Sequence, residues 1–299
     1  MDYLLQQAMN ALSLGGEYAL LALGLAIVFS VMGLVNFAHG DMITFGGYAM
    51  FLVATGLGLA NPALLLPVGV LSVVLFAMFL EKVAFKPVRG APPTTGMLTA
   101  FGVSILIQNV ALIFGGTRAK SVPTMDFLVQ NLTIGSVRIP VVQILETVVT
   151  VAAIALLVVF LRRTTIGMAM RAAAKDVSTV RLMGVRADRV IATAFAISGL
   201  LAGLATIFVL ARRGAVDPFM GFTPVLKAFV AAVIGGFGSL PGAVIGGLAL
   251  GVAEVMMQVV LPESMAGFRD AFIFTAVGVL LLVRPQGILG ERPDFGEKS

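Results

Sequence analysis

The chain has 299 residues, of which 59% are hydrophobic and 12% charged, with a formal net charge of +5. A soluble domain carries roughly 25% charged residues, so a water-dissolved globule is excluded and the bilayer itself is the expected solvent. With no cysteine and one histidine, disulfides, thiolate metal sites and His-rich metal sites are excluded as well.

The apolar runs near 20 residues must pair their backbone groups internally, which leaves helices. A transmembrane barrel would need strict apolar–polar alternation, and the chain lacks it. The expected fold is an all-α integral membrane protein, a polytopic bundle of eight or nine crossings with broken or half helices. The N-terminus, MDYLLQQAMNALSLGGEYAL, has no basic leader and no small-residue cleavage pattern, so the first run is expected to stay as a helix.

In chain order the expected spans are 14–35, 42–59, 62–85, 95–115, 140–162, 189–211, 224–239, 241–261 and 267–284. The pairs joined by Asn61-Pro62 and by Ser239-Leu240-Pro241-Gly242 have connections so short that half-helices or re-entrant pieces are expected there. The stretch GLVNFAHGDMITFGGYAM (33–50) joins the first two spans and places Asn36, His39 and Asp41 amid apolar sequence. Two readings stand side by side. In one, Asn36 and Asp41 cap a tight turn and His39 bonds to a nearby backbone group. In the other, the break borders the translocation path, because broken helices aim their termini at substrates. A metal role for His39 lacks any second ligand.

Other polar groups fall within the runs. Gln108 and Asn109 sit mid-span and suggest interhelical hydrogen bonds. Glu254 lies deep in 241–261, which points to a lined cavity or a structural partner. Glu146 and Lys227 lie near span ends and are expected to snorkel. Tyr18 and Tyr48 are the candidates for an interfacial belt. Gly199 and Gly203, Gly242 and Gly246, and Gly247 and Gly251 repeat at four-residue spacing, the pattern of close helix packing. The segment 116–139 is polar and β-branched and reads as an extracytoplasmic loop.

The basic residues are unevenly placed. Lys82, Lys86 and Arg89, then Arg162, Arg163, Arg171, Lys175, Arg181, Arg186 and Arg189, then Arg284, Arg292 and Lys298 share one side. The positive-inside rule puts these thirteen in the cytoplasm. The C-terminus is then cytoplasmic and, with nine crossings, the N-terminus periplasmic. The charge therefore reports topology and not nucleic-acid binding.

The loop 163–188 carries an amphipathic segment, RAAAKDVSTVRLMGV, stopped by Gly184. Two surfaces suit it. One is anionic membrane lipid, and the other is a partner's groove that takes Ala172, Val180 and Met183.

RAAAKDVSTVRLMGV is similar to the cytoplasmic coupling segment of ABC importer permeases. GLVNFAHGDMITFGGY and GGFGSLPGAVIGGLALGVAE resemble two signatures of the LivH-type branched-chain amino-acid permeases, and the likeness runs from about residue 8 to 290. The resemblance implies a single transmembrane permease domain over 1–299. It also implies a bacterial inner-membrane setting, a second LivM-like permease, two ATPase subunits and a periplasmic substrate-binding protein. Arg171, Ala172, Ala174, Asp176, Val180, Met183 and Gly184 would couple the chain to the ATPases. No cofactor is then expected on this chain, and it has no G-x-x-x-x-G-K-[ST] loop to hold ATP phosphates. Urea and short-chain amide permeases share the same patterns. An ion-coupled secondary transporter and an intramembrane enzyme are the other classes considered, and the second would need a nucleophile–base pair that one histidine and no cysteine do not supply.

Overall fold

Apolar runs that must hide their own backbone polar groups become helices, and their ends are set by local side chains. The computed structural model describes residues 2–123, 126–134 and 137–290; Arg292 and Lys298 of the basic set lie outside these. Among the described residues seven helices are long and apolar enough to cross a bilayer, so the chain is a multi-pass membrane protein.

The elements are α1 (Asp2–Met32), α2 (His39–Phe51, prolonged by a π turn Leu52–Gly56), α3 (Pro62–Leu80, prolonged to Val88), α4 (Pro93–Gly115), β1 (Lys120–Ser121), α5 (Asp126–Val129), β2 (Asn131–Ile134), β3 (Val137–Pro140), α6 (Val141–Arg163), α7 (Thr165–Ala173), α8 (Val177–Leu182), α9 (Ala187–Arg213), β4 (Ala215–Val216), α10 (Phe222–Gly235), α11 (Leu240–Val260) and α12 (Arg269–Val283). Among the described residues these include the seven helices long enough to span and the shorter α2 and α10. α1 starts twelve residues before the expected span because its first turns rest on the strands: Gln6 Nε2 donates to the Arg138 carbonyl at 2.7 Å.

Helix starts follow their caps. The Asn61 side chain accepts from Ala63 N–H at 2.9 Å, with Pro62 opening α3. Ser239 accepts from Gly242 N–H at 3.1 Å above Pro241 in α11. Thr164 accepts from Gly167 N–H at 3.0 Å in α7. The expected 116–139 loop contains short strands: β1 pairs with β4, and β2 with β3, both antiparallel.

The bundle has two ends. The strand end holds the start of α1, the turn before α3, β1–β4 and the start of α12. The basic end holds the close of α3, α7, α8 and the 284–290 segment. Arg89 bonds Asp188 at 2.7 Å at the basic end. The centre is α1 packed against α9, both largely buried, whereas α4 and α12 lie exposed at the periphery.

Two segments do not span. α10 has 14 residues and rises about 21 Å, short of the roughly 30 Å hydrocarbon core. α2 begins deep in the bundle, where His39 packs on Gly24 of α1 and Ser198 of α9. The segments leading into them share a sequence pattern. Residues 33–40 read GLVNFAHG and 214–221 read GAVDPFMG, the pattern G-x-V-(N/D)-x-x-x-G.

Gly33 and Gly214 both end a long helix in the left-handed region, φ 67° and 66°. Each donates its N–H four residues back at 2.8 Å, to Phe29 and Leu210. Asn36 Oδ1 accepts from Ala38 N–H at 3.1 Å, and Asp217 Oδ1 from Phe219 N–H at 2.9 Å. The same Asx turn therefore launches both half-helices. α1 runs from strand end to basic end and α9 runs back, so the two units form an inverted repeat of the kind that builds sites between halves.

Glycines set the close approaches. Gly199 and Gly203 of α9 face Ala77, Val73 and Val70 of α3, where a Cβ on Gly203 would stand 2.9 Å from Val70 Cα. Gly247 and Gly251 of α11 face Ala19 and Gly15 of α1, and Gly242 and Gly246 face Gly235 and Ala231 of α10. The α9–α3 and α1–α11 contacts are equivalent under the repeat. The tail then closes α10: Ile288 N–H donates to the Ile234 carbonyl at 2.8 Å and Leu289 N–H to the Gly235 carbonyl at 2.9 Å. Orphan carbonyls at the close of α10 are thus satisfied.

Candidate functional site

The first site is the junction of the two half-helices. α2 starts at His39 and α10 at Phe222, and their leading turns touch at Gly40 and Gly221. Gly221 N–H donates to Thr44 Oγ1 at 3.0 Å. His39 is fully buried, and its Nδ1 lies 3.2 Å from Ser198 Oγ, so its partner is a side chain and not the backbone group expected.

Asn36 is buried and holds the turn, in line with one of the two readings. Asp41 does not cap α2: the cap position is Ala38, with no side-chain bond. Asp41 lies in the first turn of α2 and accepts from Gln108 Nε2 of α4 at 3.0 Å, a nitrogen that also donates to Ser104 Oγ at 3.1 Å. Gln108 thus makes the interhelical bond expected of it. Asn109 does not; it donates to Ile105 of its own helix at 2.8 Å and is exposed, because its direction on α4 turns it away from the bundle.

The second site is a charge network near the strand end, much of which sequence reasoning missed. Glu146 is fully buried, not snorkelling, and receives Ser13 Oγ of α1 and Arg212 of α9, the latter at 3.1 and 3.2 Å through two nitrogens. Arg212 also pairs with Glu17 of α1. Lys227 is buried as well, 2.6 Å from Glu254 and 3.4 Å from Asp270. Glu254 therefore has a structural partner, and its other oxygen accepts from Tyr18 Oη at 2.6 Å. Tyr18 is 3% exposed, so it is a network member and not part of an interfacial belt. Charges this deep persist only when paired and hydrogen-bonded.

A cleft of about 150 Å³ opens beside this network, between α1, α9 and α10. Glu17 and Arg212 carried one available signal, a charge inside or beside an apolar run. Their mutual pairing is invisible to span-by-span reading. Among the described residues no group of three His, Cys, Asp or Glu side chains could hold a metal.

The third region is the connector between α6 and α9. α7 lays Gly167, Met170 and Ala173 inward. Arg171, Ala172 and Ala174 are exposed, and Leu182 and Met183 are 88% and 76% exposed. Val180, expected on the outward face, is buried, because α8 turns it toward α9. Asp176 lies between the two short helices and Gly184 sits in the left-handed region, φ 79°. A groove of about 500 Å³ runs from Arg171 and Lys175 to Ser30 and Gly33, linking this connector to the end of α1.

Comparison with known proteins bears on all three regions. A family described as branched-chain amino acid transport system, permease component, matches residues 7–283. The high-affinity branched-chain amino acid transport system permease protein LivH of Escherichia coli (strain K12) is 36% identical over 302 residues, covering 98% of this chain and 97% of that protein. BraD of Pseudomonas aeruginosa, described in the same words, is 36% identical over 300 residues, covering 97% and 96%. LivM of Salmonella typhimurium, a permease of such a system too, is 30% identical over 312 residues, covering 94% of this chain and 70% of LivM. A match that spans both halves of the inverted repeat and the connector between them places this chain in the permease-component family of branched-chain amino acid transport systems.

Proposed function

We propose that this chain is one of two membrane-spanning subunits of an ATP-driven importer, and that it carries branched-chain amino acids across the bacterial inner membrane. End-to-end likeness to LivH and BraD supports the cargo class, and likeness to LivM supports pairing with a second, related permease. The observation that carries the ATP-driven reading is the α7–α8 connector. Its inner face is anchored on the bundle, while Ala172, Leu182 and Met183 lie uncovered beside a cluster of cations.

In this reading the basic end faces the cytoplasm, the N-terminus is periplasmic, and two ATPase subunits hold the nucleotide. A periplasmic binding protein delivers substrate to the strand end. Nucleotide and loaded binding protein then favour different states of one bundle, which is what coupling requires. Moving such an equilibrium from 1:99 to 99:1 takes about 5.5 kcal/mol of differential binding.

The experiment is uptake of labelled leucine into proteoliposomes holding this chain, its partner permease, the ATPases and the binding protein. Uptake that follows enclosed ATP on the ATPase side and ignores ionophores fits the proposal. Uptake that an ionophore abolishes and ATP leaves unchanged contradicts it. Transport of urea in place of leucine would correct the cargo.

A further inference from the structure

The cleft beside the charge network has walls of opposite sign. α9 and α10 contribute Arg212, Arg213 and Lys227, and α1 contributes Glu17 and Tyr18. Thr223 and Pro224, in the first turn of α10, line it too. That turn is the positive end of a half-helix whose axis runs from the cleft toward the basic end. Arg213, 39% exposed and paired with Asp217 at 3.5 Å, stands at the mouth on the strand end.

The cleft lies in front of a buried charge network in which Glu17, Glu146 and Glu254 face Arg212 and Lys227. Its α1 wall presents the Glu17 carboxylate, while the first turn of α10 and Arg213 present positive charge across a gap of about 150 Å³.

We infer that this cleft is a transient binding site for the head group of a free α-amino acid entering from the strand end. The ammonium lies toward Glu17 and the carboxylate toward Arg213 and the first turn of α10. The inference rests on the importer reading and sharpens it: a zwitterion gains from walls of both signs, whereas urea and short amides carry no formal charge to place there.

The chain has no cysteine, so a single reporter can be read cleanly. Thr223→Cys, and independently Leu14→Cys, is introduced into the transporter in spheroplasts to which the purified binding protein is added back. The rate of labelling by a membrane-impermeant thiol reagent is then measured. L-leucine at about four times its Kd should slow labelling roughly fivefold by occupancy alone. 4-Methylpentanoate, which keeps the carboxylate and apolar body but lacks the ammonium, and urea should not slow it. Glu17→Gln should abolish the protection by leucine.

Equal protection by leucine and 4-methylpentanoate, protection by neither, or failure of both reporters to react would overturn the site. Leucine uptake is measured on the same spheroplasts. Intact ATP-dependent uptake with no protection removes the cleft and leaves the importer standing. Protection without ATP-dependent uptake removes the importer reading and leaves the cleft.

Discussion

Gly40 and Gly221 meet backbone to backbone where the two half-helices begin. A Cβ on Gly40 would stand 2.5 Å from the Gly221 carbonyl oxygen and 2.7 Å from Val225 Cγ1, and a Cβ on Gly221 would strike the Gly40 carbonyl. Backbone cannot move aside as a flexible side chain can. Gly221→Ala should destabilise the purified chain by about 2 kcal/mol or more, at the upper end of overpacking costs. Gly278→Ala on the peripheral α12, where nothing lies within 4 Å, should leave stability unchanged or slightly raised. Unfolding titrations in mixed micelles compare the two. Equal behaviour would mean that the junction is loose.

The ion pair between Lys227 and Glu254 makes a different prediction. Removing one partner leaves the other charge buried, so Lys227→Met alone should cost about 3–5 kcal/mol. Adding Glu254→Gln removes the stranded charge and keeps an acceptor for Tyr18 Oη, which now bonds at 2.6 Å. The double variant should therefore recover most of the loss. The same titration measures it, and a double variant as unstable as the sum of its singles would show the two residues to be uncoupled.

The positions of the nine segments were legible, because an apolar run near 20 residues has one simple reading in a membrane. α10 could be suspected as a half-helix from the short Ser239–Gly242 link. The depth at which α2 begins could not, since His39 and Asp41 gain their burial from Gly24, Ser198 and Gln108, all distant in sequence. The repeat of Gly33–Gly40 in Gly214–Gly221 lay in plain view, yet its shared residues are few and the two segments lie far apart in the chain. Glu146 and Lys227 read as snorkelling for the same reason: their distance from a span end was visible and their partners were not. Val180 shows the limit for short helices, where a two-turn element is too brief for its pattern to declare a buried face.

The repeat itself is testable at Asp217. Its Oδ1 accepts from Phe219 N–H at 2.9 Å, as Asn36 does from Ala38 at 3.1 Å. Asp217→Asn keeps that acceptor and copies the other repeat, so it should cost under about 1 kcal/mol, the worth of an exposed pair with Arg213. Asp217→Leu removes the acceptor and should cost about 1–2 kcal/mol more, the value of a lost capping bond. Equal losses for Asn and Leu would show that the turn does not depend on the side chain.

Adjacent alanines in the connector separate docking from folding. Ala172 is exposed and Ala173 is 3% exposed against the bundle. Ala173→Trp has nowhere to place its ring and should lower the amount of folded protein in the membrane by disrupting α7. Ala172→Trp should leave the protein folded and abundant, because its side chain points away from the bundle. If the ATPases seat on this face, the added bulk should still uncouple them, cutting ATP-dependent leucine uptake by about tenfold or more, the effect of losing roughly 1.4 kcal/mol of binding. Measured as uptake per folded molecule, with ATPase activity alongside, normal coupling in Ala172→Trp would remove α7 from the docking surface.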